Sequence, residues 1–302
     1  MQTYLDCVPC FVKQALDATR LASAEDDVAE RVLRRVLEAA AHMRMDFPPP
    51  FMGRTIHRII RDETGSADPY AALKQKSTQT ALRLAGAVER RIENASDPFE
   101  AAVRYAIAGN VMDYALASNW DVDKIDNCFD EALSKPIDFD AVRSLEESVS
   151  TAARILYIGD NAGETVFDRI LIQRFPAGTV TYGVKGSPII NDATREDAED
   201  AGIDRVAHII DNGNDAPGTI LDLCSALFRD LFGEVDVVIA KGQANLETLN
   251  RCNREVFFLA QVKCPVIGRD LNAQVGDWIV NLYRPEVSIT ASEVSLAVEV
   301  ER

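Results

Sequence analysis

The stretch Arg154-Ile-Leu-Tyr-Ile-Gly159-Asp160-Asn161-Ala162-Gly163-Glu164 decides how the chain is read. A short apolar run stops at a glycine, two oxygen-bearing side chains follow, and a helical pattern runs from 164 to 174. This is the pattern of a buried strand, a turn able to carry ligands, and a crossover helix. It recurs downstream. Residues 179–184, 206–210, 235–240 and 264–268 read as further strands, and 195–201, 217–232 and 246–259 as helices. Strands alternating with helices imply a parallel sheet covered on both faces.

Upstream the pattern changes. Val28, Val32, Leu33, Val36, Leu37 and Ala40 recur at helical spacing, and residues 74–94 and 98–118 do the same. Proline- and glycine-bearing breaks at 47–50, 65–69 and 94–98 separate them, and Asp97 before Pro98 reads as an N-cap. No β-rich run occurs before residue 150. The expected fold class is therefore α/β, with an all-helical N-terminal domain over 1–150 followed by a parallel-sheet domain over 151–302. Residues 286–302 alternate apolar and polar and read either as an edge strand or as a tail.

Of 302 residues, 47% are hydrophobic and 26% charged, enough for a real core. Disorder, collagen and a small disulfide scaffold are excluded. The net charge of −16 disfavours nucleic acid and anionic lipid as partners. No apolar run of about 18 residues is present, so no membrane span is expected. The first residues lack a basic region leading into an apolar run, so no signal peptide is expected. The six cysteines then read as reduced thiols in the cytoplasm.

In open parallel sheets ligands bind beyond the carboxyl ends of the strands. The residues there are rich in oxygen donors, glycines and lysines. Asp160 and Asn161 are adjacent ligands, and Asp192 adds a carboxylate from the next loop. An oxygen set with few histidines suits Mg²⁺ or Mn²⁺. Lys241 and Lys263 are placed to neutralise a phosphate, and Gly242 would let backbone amides approach it. Gly163 and Glu164 open a helix whose N-terminal end favours an anion. Each feature also has a plainer reading: an Asp-Asn turn, a solvated lysine. Asn110 and Asp113, three apart on a predicted helix, share a face that either packs or roofs the site. His208 is expected in the core, and none of the three histidines is assigned to catalysis.

These residues lie in blocks that resemble the metal-dependent damage-control phosphatase family, the one with the acidic-residue methyltransferase-like metal-binding domain. The blocks are Cys7-Val-Pro-Cys10-Phe11, Asp68-Pro69-Tyr70, Gly109-Asn110-Val-Met-Asp113, Gly159-Asp-Asn-Ala-Gly-Glu164, Asn191-Asp192-Ala-Thr194, Lys241-Gly-Gln-Ala-Asn245 and Lys263-Cys264. The Cys-x-x-Cys looks like its mainly prokaryotic subgroup. The resemblance implies a helical domain on a Rossmann-like domain, and a phosphatase of small phosphorylated metabolites such as sugar phosphates. It implies a divalent ion (Mn²⁺, Mg²⁺, Ni²⁺ or Co²⁺) on Asp160, Asn161 and Asp192. Glu164, Gly242, Gln243, Asn245 and Lys263 fall where the family contacts the phosphate or its leaving group, and Asn110 and Asp113 are carried as substrate contacts.

The expected catalytic residues are Asp160, Glu164 and Lys263, with Glu164 orienting water or ligand. A covalent route through Asp160 lacks a second aspartate two residues on, since position 162 is alanine. Carboxyl methyl transfer and metal-dependent binding without turnover are the alternatives. Cys7 and Cys10 read as structural at the start of the first helix, or as a metal pair completed by Cys128 or His57.

Overall fold

The computed structural model describes residues 1–22, 24–110 and 122–285. Six strands form one sheet: β1 (Ile155–Ile158), β2 (Val180–Val184), β3 (His208–Asp211), β4 (Val237–Lys241), β5 (Val256–Gln261) and β6 (Trp278–Tyr283). Their order is β3-β2-β1-β4-β5-β6. β1 pairs in parallel with both β2 and β4, from Ile155 opposite Val180 on one side and Val237 on the other. Only β6 runs antiparallel, on β5. Every residue of β1 and β4 is buried, as expected for strands covered on both faces. The strand order reverses between β1 and β4, and the crevice beyond such a reversal is where open α/β sheets hold ligands.

The helices before the sheet are α1 (Cys7–Leu21), α2 (Asp26–His42), α3 (Pro49–Thr64), α4 (Ala71–Glu93), α5 (Pro98–Ala108), α6 (Val122–Glu131) and α7 (Phe139–Thr151). Those among the strands are α8 (Thr165–Ile172), α9 (Arg195–Asp200), α10 (Ala226–Glu234), α11 (Gly242–Leu249) and α12 (Pro265–Leu271). Asp97 caps α5 as read from the sequence, its side chain accepting from Glu100 N at 2.9 Å.

Two packing regimes divide the helical half. α1, α2 and α3 close on their own small core, built on Phe11, Ala15, Val32, Val36, Ile56 and Ile60. Burying each isoleucine there contributes roughly 1.5–3 kcal/mol. By contrast α4, α5 and α7 share one hydrophobic cluster with β1, β2 and α8, which crosses residue 150. α5 is buried from Ala101 to Ala108, Arg104 included. It is a sheet-covering helix rather than part of a separate bundle.

Three sequence readings need correction. Residues 264–268 do not form a strand; Pro265 opens α12, as proline at the first helical turn permits. The fifth strand is instead Val256–Gln261, whose first four residues were read as helix, because α11 ends at Leu249. A short, wholly apolar run carries no period, so helix and buried strand look alike in it. His208 is exposed rather than packed in the core, because β3 is the sheet edge. The expected helix over 98–118 is seen as far as Ala108; residues 111–121 and the ambiguous 286–302 lie outside the described residues.

Candidate active site

The turn after β1 is tied by main chain to the loop after β2. Ala162 N donates to Asn191 O at 2.9 Å, Ala193 N donates to Asp160 O at 2.8 Å, and Asn161 and Asp192 form an isolated antiparallel bridge. These bonds bring Asp160, Asn161 and Asp192, 32 positions apart at their extremes, to one wall of a cavity of about 320 Å³. Gly242, at the end of β4, closes over them from the other side of the strand reversal. Its φ is +77°, and a Cβ there would lie 1.9 Å from Asp160 Oδ2, so no other residue fits.

Glu164 lies beneath this wall, fully buried. Its Oε2 accepts from Asn110 Nδ2 at 2.9 Å and Asn161 Nδ2 at 3.3 Å, and its Oε1 from Lys241 Nζ at 2.5 Å. Asn161 Nδ2 also reaches Asp160 Oδ2 at 3.0 Å, and Asn110 Nδ2 approaches the same oxygen at 3.5 Å. Glu164 thus takes the N–H ends of both amides and turns their oxygens away from itself. Lys241, expected to meet the substrate, has its three donors taken by Glu164, Asp168 Oδ1 (2.6 Å) and Ala106 O (2.9 Å). Asp168 in turn accepts from Tyr157 OH and Tyr182 OH, each at 2.7 Å.

Burial governs the electrostatics of this floor. It pushes the Asp168 carboxyl up, against the pull of Lys241, and it pushes both tyrosines far above their ordinary range, with the Asp168 charge adding to it. Burial works against the Lys241 charge too, but Asp168 and Glu164 outweigh it and hold the ammonium above its usual value. A buried charge without such partners would cost several kcal/mol.

The opposite wall comes from α11 and the loop after β5. Asn245 does not touch the cavity. Its Nδ2 donates to Lys241 O at 2.7 Å and Gly159 O at 3.2 Å, and its Oδ1 accepts from Thr219 Oγ1 at 2.8 Å, which locks the ends of β1 and β4 together. Gln243 lines the cavity. Its Oε1 accepts from Lys263 N at 3.0 Å and its Nε2 donates to Glu247 Oε1 at 2.9 Å. Lys263 lines the cavity as expected, although it follows β5 rather than preceding a strand. Asp113 lies outside the described residues.

The donor chemistry fits a hard cation. Among the described residues no three His, Cys, Asp or Glu side chains gather as a metal group. The set is two aspartates and an amide oxygen, as Mg²⁺ and Mn²⁺ accept. Asn110 Oδ1 is buried beside Asp160, and no described residue hydrogen-bonds to it. An orphan oxygen of this kind costs about 1–3 kcal/mol, a cost that a cation or its water offsets.

Sequence reasoning missed several residues here. Lys185 pairs with Asp192 Oδ2 at 3.3 Å, where its position after β2 was a signal. Asp168 and Glu247 lie four residues beyond Glu164 and Gln243, on the same helical faces. Cys10 lines the cavity mouth, and all six cysteines are free. After burial, Cys264 and Glu247 are the groups that raise the Cys10 thiol, whereas His57 is buried near Tyr70 and Cys128 points to Ala108 O.

Comparison with known proteins shows the family. The family model described as the damage-control phosphatase ARMT1-like domain matches residues 3–279. The damage-control phosphatase PH1575 of Pyrococcus horikoshii is 33% identical over 283 residues, covering 91% of this chain and 96% of that protein. A damage-control phosphatase of Archaeoglobus fulgidus is 29% identical over 288 residues, covering 91% and 97%. The crystal structure of the Pyrococcus horikoshii protein, titled a DUF89 family protein, superposes with a TM-score of 0.85 at 32% identity, over 94% of this chain and 100% of that one. With its strand order, its acidic turn and a match along nearly its whole length, the chain belongs to the damage-control phosphatase family defined by the ARMT1-like domain, a family of hydrolases.

Proposed function

We propose that the cleft hydrolyses phosphate monoesters of small metabolites, sugar phosphates among them, with a divalent cation on Asp160, Asn161 and Asp192. The observation that carries this reading is the meeting of those three oxygen donors on one cavity wall at the β1/β4 reversal. When bound, Mn²⁺, Mg²⁺, Ni²⁺ or Co²⁺ supplies Lewis-acid polarisation of a phosphoryl oxygen.

The chain's own residues do the rest. Glu164 holds the Asn161 and Asn110 amides by their N–H ends, so that carbonyl oxygens are presented to the cation and its ligands. Lys241 and Asp168 fix Glu164 from beneath, which gives Glu164 and Lys241 positioning roles. Gly242 lets the backbone approach the phosphoryl group, Lys263 neutralises its charge, and Gln243 holds the Lys263 loop in place. Water displaces the alcohol in line. Asn245 keeps the two strand ends in register, and Asp113 is retained as a substrate contact. The protein's net charge of −16 and free thiols accord with a cytoplasmic enzyme of small metabolites.

Membership in a hydrolase family favours this reading over methyl transfer or binding without turnover. The test is release of inorganic phosphate from p-nitrophenyl phosphate and a panel of metabolite phosphates. EDTA is expected to stop release and added Mn²⁺ to restore it. Undiminished release in EDTA would sink the metal role.

A further inference from the structure

Glu247 stands in the cavity wall on α11, one helical turn beyond Gln243, and is only 8% exposed. Gln243 Nε2 donates to its Oε1, and no described residue supplies a hydrogen bond to its Oε2. Buried carboxyls are ordinarily satisfied on both oxygens or kept out of cavities. The ionisable groups that face Glu247 come from three segments: the Met1 α-amine, Lys263 beside Cys264, and the Cys7 and Cys10 thiols of α1. α3 contributes the uncharged Pro49, Pro50 and Gly53 to the same cavity. Glu247 stands on the α11 wall with Gln243, whereas Asp160, Asn161 and Asp192 lie on the wall formed by the loops after β1 and β2. The organic half of a phosphate ester held at those three donors would meet the α11 wall.

We propose that Glu247 is the specificity residue for the alcohol half of the ester, its Oε2 side hydrogen-bonding a hydroxyl of a polyhydroxylated leaving group. The proposal rests on the phosphatase reading above and adds to it which residue chooses the leaving group. Burial raises the Glu247 carboxyl to about 7, against the pull of Gln243, the Met1 amine and Lys263. Below that pH the carboxyl both donates to and accepts from a hydroxyl; above it, it only accepts, and it repels a second anionic group on the substrate. A site built to hydrogen-bond a hydroxyl discriminates strongly against a leaving group that lacks one.

The test compares kcat/KM for glycerol 1-phosphate with that for p-nitrophenyl phosphate, which has no hydroxyl to offer. Both are measured in one enzyme preparation, so folding and metal loading cancel in the ratio. Glu247→Ala is expected to lower the glycerol-phosphate preference at least about tenfold, mostly through KM. Glu247→Gln, whose amide can donate and accept, should recover most of that preference at pH 6. From pH 6 to 8 the wild-type preference should shift as Glu247 loses its proton, while that of Glu247→Gln stays level. An unchanged ratio in Glu247→Ala, or the same pH dependence in Glu247→Gln as in wild type, overturns the assignment; the second arm suffices if the alanine variant fails to fold. No phosphate release from either ester by the wild type overturns the phosphatase reading and this assignment with it, whereas wild-type turnover with an unmoved ratio overturns the assignment alone.

Discussion

The floor and the outer wall of the cleft are built on opposite principles. Beneath Asp160, Asn161 and Asp192, the side chains of Glu164, Lys241, Asp168, Tyr157 and Tyr182 are buried and bonded to one another at 2.5–2.7 Å. The outer wall of Gln243, Glu247 and Lys263 opens to the cavity, with one Glu247 oxygen unclaimed. A saturated network holds atoms where the chemistry needs them, whereas the open Glu247 oxygen remains available to a ligand. Rigidity and recognition are thus assigned to different sides of the same cavity.

The largest effect should come from the ligands above the floor. Asp160→Ala and Asp192→Ala are expected to abolish metal-dependent phosphate release while the chain still folds cooperatively. Retained turnover in either would remove the cation from the site. Next is the floor itself. Lys241→Met leaves Glu164 and Asp168 without their cation and should cost about 3–5 kcal/mol in urea denaturation. Unfolding at the wild-type midpoint would show that the network does not stabilise the fold.

The outer wall should respond to pH instead. Folding raises the Glu247 pKa from 4.5 to about 7, so between those values the folded chain keeps a proton that the unfolded chain has released. Stability therefore falls as pH rises through that window and levels off above it. Relative to wild type, Glu247→Gln should gain up to about 3 kcal/mol between pH 4.5 and 8. A gap in melting temperature that is flat with pH would contradict the buried acid.

The smallest expected effect is at Asp215, where Arg54, Arg58 and Arg61 bind α3 to the loop after β3. Burial opposes this carboxylate's charge, but Arg58 and Arg54 prevail and hold its pKa well below the ordinary range. Its stabilisation is present above about pH 4 and is lost as pH falls toward the folded value. Asp215→Ala should cost about 2 kcal/mol at pH 7 and less at pH 3, by the same melts. Equal losses at both pH values would break the ion-pair account.

Much of this arrangement is legible in the sequence. β1, β2 and β4 announced themselves as apolar runs ending in glycine or lysine, and the residues after them supplied Asp160, Asn161, Asp192 and Gln243; Lys263 stands out too, but beside a strand that is not there. β5 and α12 were misread because residues 256–260 are apolar throughout and carry neither a period of 2 nor one of 3.6. The Glu164–Lys241 pair was invisible because 77 positions separate its members.

Residue order alone establishes an α/β chain with a helical front half, an acidic turn after its first strand, and a charge unsuited to polyanions. Those properties follow from local spacing and composition. Which atoms face the cleft and which face the floor follows from packing. Lys241 turns inward because two buried carboxylates attract it more strongly than the cavity does, and Glu247 keeps an open oxygen because Gln243 takes only the other one and no described residue donates to the second. Contacts of that range depend on how the layers stack, which no short stretch of the chain encodes.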